Sequence, residues 1–110
     1  MKLESHDKSM IFSTTELPDV FFTEYFSHAS GNSIKVYLYM VFLAKYNKEI
    51  KLNDLSKKLN LPLKEIQESL KYWEENSVIT KKTTGYILNS LQEIELHKIY
   101  NPKLTSSPED

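Results

Sequence analysis

Few side chains in this sequence are arranged for chemistry. The histidines, His6, His28 and His97, lie far apart in the chain. No His-x-x-x-His or nearby carboxylate gives the spacing of a metal site. Cysteine is absent, which removes disulfides, thiol nucleophiles and thiolate ligands. Gly31 and Gly85 are the only glycines, so there is no phosphate-cradling loop. Serine, histidine and aspartate occur in no recognisable nucleophile setting. The neighbouring Glu74 and Glu75 sit at a predicted helix end and read as a solvated face rather than an acid–base pair. These residues predict no enzyme, no cofactor and no metal.

What remains is surface chemistry of two kinds. Phe21, Phe22, Tyr25 and Phe26 fall at offsets 0, 1, 4 and 5, which is one helical face. Leu38, Tyr39 and Phe42 crowd one side of a long apolar run. Together these are the candidate protein-interaction residues, with closure of the core as the plainer role for the first four. The second kind is basic. Lys57, Lys58, Lys81 and Lys82 are candidate contacts to a DNA backbone, although such lysines are more often solvated charges.

The elements that must position these groups are built around residues 34–46 (IKVYLYMVFLAKY), where only Lys35 and Lys45 interrupt an apolar run. At about 100° per residue, Val36, Tyr37, Met40, Val41, Leu43 and Ala44 form one broad face. Leu38, Tyr39, Phe42 and Tyr46 lie opposite. A helix apolar nearly all round must be covered on both sides, and a membrane span needs roughly 20 apolar residues. The reading is therefore a buried helix of a soluble protein, with a second cover to be found. Asn32 or Ser33 is its expected N-cap.

Before it, residues 10–14 read as a short edge strand. Leu17, Pro18 and Asp19 read as a turn in which Asp19 caps a helix over 20–27. After it, the alternation of residues 49–52 predicts a strand, and Asn53 a cap for a helix over 54–60. Pro62 suits the first turn of a helix over 62–76, whose apolar face is Leu63, Ile66, Leu70 and Trp73. Trp73 is expected to be buried against the central helix. Residues 78–82 and 86–88 form a hairpin through Thr83, Thr84 and Gly85, with glycine available for positive φ. Ser90 and Glu93 match a capping box for a helix over 91–99, although part of that stretch also alternates like a strand.

This order predicts a mostly α protein with a small antiparallel sheet (α+β), a winged helix-turn-helix with N- and C-terminal extensions. The domain plan is an N-terminal arm over 1–14, a winged-helix domain with flanking helices over 15–100, and a polar tail or linker start over 101–110. The 110 residues suffice for one domain, 40% hydrophobic and 26% charged, with a net charge of −1. No global positive field advertises nucleic-acid binding. The helix that would enter a DNA groove carries Lys64 and Lys71 against Glu65, Glu68, Glu74 and Glu75, a net charge of −2. Each lysine is placed four residues before a glutamate that can neutralise it, and such a surface repels phosphate. No signal-peptide core follows Met1 and Lys2, so a cytoplasmic protein with no membrane contact is expected.

Residues 17–26 (LPDVFFTEYF), 35–39 (KVYLY), 70–74 (LKYWE) and 85–88 (GYIL) resemble the N-terminal domain of DnaD-like replication proteins of low-GC Gram-positive bacteria and their phages. The likeness covers roughly residues 15–104. It implies a winged-helix domain that self-associates and contacts other replication-initiation proteins during primosome assembly. DNA binding in that family belongs largely to a separate C-terminal domain, so the chain reads as an N-terminal fragment or a stand-alone version of it. The expected function is an interaction and self-association scaffold, a homodimer or higher oligomer. The alternative is a small winged-helix transcriptional regulator.

Overall fold

The computed structural model describes residues 10–100. The protein is mostly helical with one small antiparallel sheet. A π-helical turn, Phe21–Tyr25, and a 3-10 turn, Phe26–His28, lead into helix α1, Gly31–Lys45. Helix α2, Leu52–Leu59, and helix α3, Leu63–Glu75, form a helix-turn-helix. Strands β1, Ile79–Lys82, and β2, Gly85–Leu88, make the wing, and helix α4, Leu91–Tyr100, closes the described chain.

Three helices end in the same way. Asn47, Asn60 and Ser77, just beyond α1, α2 and α3, all have positive φ. At each, two amide donors fold back onto the last turn. Lys48 N reaches Leu43 O at 3.0 Å, Leu61 N reaches Ser56 O at 3.0 Å, and Val78 N reaches Trp73 O at 2.9 Å. Each bond spans five residues, the mark of a Schellman stop. Neither glycine serves in these stops.

The core forms where α1, α3 and the aromatic turn meet. Trp73 is buried, and its indole Nε1 donates to the Ser33 carbonyl at 2.7 Å. Phe21 stacks on Tyr37 with centroids 5.1 Å apart, and Tyr37 lies 5.2 Å from Trp73. Tyr25, Val36, Leu55, Leu59, Ile66, Leu70, Val78, Ile79 and Leu91 complete the buried hydrophobic set. Ser33 and Ser69, also buried, share a hydroxyl contact at 3.3 Å.

Several expectations are corrected. Residues 10–14 are no strand: Met10 and Ile11 are helical, and the segment is tied to the end of α1 by Ser13 Oγ and Tyr46 Oη at 2.5 Å. Residues 49–52 are no strand either. Helix α2 begins at Leu52 and takes in Asn53, too little chain remains for a third strand, and among the described residues the sheet has two. Lys51, not Asn53, stands at the start of α2. The α1 cap is Ser30, whose Oγ accepts from Ser33 N at 3.1 Å, which lets the helix begin at Gly31. Asp19 already lies in the helical segment and caps nothing. The hairpin turn is Thr83 and Thr84 alone, and Gly85 sits in β2 with no positive φ. The wing and α4 otherwise follow the sequence, with Ser90 Oγ accepting from Glu93 N at 3.2 Å. The tail over 101–110 and the first nine residues of the arm lie outside the described residues.

Candidate interaction surface

The aromatic turn divides its rings between core and solvent. Phe21 N accepts its place from the proline turn, donating to Pro18 O at 3.0 Å, and Phe26 N then reaches back five residues to Phe21 O. This wide turn lets Phe21 and Tyr25 both point inward. Phe22 and Phe26 point outward, 51% and 45% exposed, with their rings 5.7 Å apart. Phe22 also meets the buried Phe21 edge-on at 5.3 Å. The exposed pair is therefore seated on a rigid stack that continues through Tyr37 to Trp73. Of the four, Phe21 and Tyr25 lie in the core and Phe22 and Phe26 on the surface.

One side of helix α1 is covered, and the second cover that its apolar pattern calls for is not formed among the described residues. Only Ser33, Val36 and Tyr37 of it are buried, because α3 and the aromatic turn reach one side alone. Leu38 is 40% exposed. Tyr39, Phe42 and Tyr46 are partly covered and form a ladder of rings with successive centroids 5.6 and 5.4 Å apart. Lys45 Nζ crosses this end of the helix to Ser13 Oγ at 2.9 Å and to the Thr14 carbonyl. Among the described residues no ring contact joins this ladder to Phe22 and Phe26, so the candidates fall into two patches.

One contact had no sequence signal. The Tyr25 hydroxyl donates to Glu95 of α4 at 2.6 Å, across 70 residues. Lys98 Nζ pairs with the same carboxylate oxygen at 3.1 Å. Burial, then the neighbouring Glu95 carboxylate, pushes the Tyr25 hydroxyl well above its ordinary value. Burial alone works to raise Glu95, but the bonds from Tyr25 and Lys98 outweigh it and hold the carboxyl below its usual range. The same helix exposes Leu96, Ile99 and Tyr100, an apolar stripe at i, i+3 and i+4 that the sequence reading did not single out.

The basic candidates lie on two elements, Lys57 and Lys58 in the last turn of α2 and Lys81 and Lys82 on β1, all exposed. The expected neutralisation of Lys64 by Glu68 and Lys71 by Glu75 is not formed: the ion pair among the described residues is Lys98 with Glu95. All of these groups are solvated, and in water a lone surface pair gains too little to hold two long side chains together. Glu65 instead accepts from Asn32 Nδ2 at 3.0 Å. Among the described residues no group of histidine, aspartate and glutamate could hold a metal, and no helix is long and apolar enough to cross a membrane. In comparisons with known proteins, no family model, no curated protein and no solved structure matched this chain.

Proposed function

We propose that the chain is a protein-interaction and self-association module of DNA replication initiation, acting as a cytoplasmic scaffold in primosome assembly. The observation that carries the self-association is the pair Phe22 and Phe26, half exposed yet fixed on a buried aromatic stack. Exposed aromatics on a rigid base are the anchors from which interfaces are built, and two-fold dimers are the commonest assembly. The assignment to replication rests on the resemblance of residues 17–26, 35–39, 70–74 and 85–88 to DnaD-like N-terminal domains. The net charge of −2 on α3 favours a scaffold over the transcriptional regulator.

Light scattering across micromolar concentrations should show a dimer or larger species. Phe22→Glu should return it to monomer. Because Phe22 is half exposed, the variant's thermal unfolding should stay close to that of the parent. A parent chain that remains monomeric throughout refutes the module. The replication role is tested separately, by thymidine incorporation in cells lacking the gene, where unchanged DNA synthesis counts against it.

A further inference from the structure

We propose that the groove beside the free edge of β2 binds an extended, acid-flanked segment of a partner protein as an added strand. Among the described residues β2 pairs with β1 alone, so its second edge has no ladder partner. The Lys82↔Gly85 pair closes the turn, Thr80 faces Ile87, and Asn89 N donates to Val78 O at 2.9 Å. Hydrogen-bonded pairs alternate along an antiparallel ladder. The N–H and C=O groups of Tyr86 and Leu88 therefore point away from β1, toward a groove of about 1030 Å³. Its floor is apolar, with Met40 and Leu43 from α1, Ile50 from the α1–α2 connection and Leu70 from α3.

Unpaired amides on a strand edge are satisfied by another extended chain, and an apolar floor takes every second side chain of that chain. The edge is also unguarded. The sequence GYIL of β2 has neither charge nor proline, the devices that ordinarily block edge pairing. Charge then selects the occupant. The rim carries Lys48, Lys51 and Lys82 against Glu49 and Asp54, and among the described residues none of these forms an ion pair. A second copy joined β2 to β2 would bring the same lysines together from both sides, which repels. Acidic side chains flanking an incoming strand meet those lysines instead.

The test is fluorescence anisotropy of the full chain with a labelled synthetic peptide that alternates valine and threonine between glutamate ends. Saturable micromolar binding is expected, about tenfold weaker when the end glutamates become lysines and lost when the central residue becomes proline. Lys51→Glu combined with Lys82→Glu, both at exposed positions, should reverse the preference between the two peptides. Tyr86→Pro removes one outward N–H without breaking the ladder to β1 and should abolish binding, with thermal unfolding confirming the fold. If that variant does not fold, the charge reversal still decides. Phe22→Glu should leave peptide binding unchanged, which separates this groove from the aromatic surface. Three results overturn the proposal. One is equal binding, or no binding, of the two peptides. Another is hydrogen-exchange protection of the Ile50 and Lys51 amides equal to that of β1, which makes the chain's own connection the third strand. The last is self-association that disappears with Lys82→Glu, which makes the occupant a second copy.

Discussion

Replacing Trp73 with phenylalanine should destabilise the protein by about 2–4 kcal/mol in urea unfolding, through a cavity and a lost hydrogen bond acting together. The ring packs against both Tyr37 and Phe21, and its Nε1 reaches the Ser33 carbonyl at 2.7 Å. A loss below about 1 kcal/mol would mean that the neighbouring rings close over the gap. Glu95 offers a second test, of pH dependence. Its carboxyl titrates lower in the folded chain than its ordinary value of 4.5. The stability it contributes is therefore present above that value and lost as the pH falls through the folded value. Thermal midpoints of the parent should exceed those of Glu95→Gln at neutral pH, and the gap should close in acid. A gap that does not change with pH leaves the charge of Glu95 without a role.

At the scale of elements, the helix stops carry the predictions. Ser77 holds a φ of 65°, a conformation that disfavours a side chain, so Ser77→Gly should raise stability by about 1 kcal/mol. Gly85 has no positive φ, and an added Cβ there meets nothing within 4 Å. Gly85→Ala should thus be neutral or stabilising by about 0.4–1 kcal/mol, measured by thermal unfolding. That reversal also shows how far the sequence could be read. The spacing of Ile66, Leu70 and Trp73 announced α3 because the burial of one helical stripe leaves its period in the sequence, although Leu63, read as part of that stripe, is exposed at its start. The paired runs around Thr83 and Thr84 announced the wing. Residues 49–52 alternate like a strand, yet the start of α2 claims Leu52. Alternation over so few residues says nothing about which neighbour captures them. The serine cap was placed within three residues but on the wrong side chain. Of the candidate site, the aromatic face was legible, whereas the partition of Phe21 and Tyr25 from Phe22 and Phe26 depends on the π-helical turn. The Tyr25–Glu95 bond depends on packing across 70 residues, which no local pattern encodes.

For the whole molecule, the balance of charge sets an expectation for DNA. The chain carries −1 overall and −2 on α3, while Lys57, Lys58, Lys81 and Lys82 stay exposed on α2 and the wing. Duplex affinity near physiological salt should be no tighter than the ~10⁻⁴ to 10⁻⁶ M of non-specific electrostatic binding. Nanomolar, sequence-selective retention in a gel-shift titration would instead favour the transcriptional regulator. The bond between Tyr25 and Glu95 has a further consequence, for the order of folding. Helices α1 and α3 meet through bonds that span 33 to 40 residues, while this bond closes a loop of 70 residues, and the longer loop closes at the higher entropic cost. The joining of α4 to the aromatic turn should therefore come after the transition state. Removing the Tyr25 hydroxyl with Tyr25→Phe should leave the refolding rate nearly unchanged and quicken unfolding. In stopped-flow measurements, the two ends of the domain would be the last to meet and the first to part.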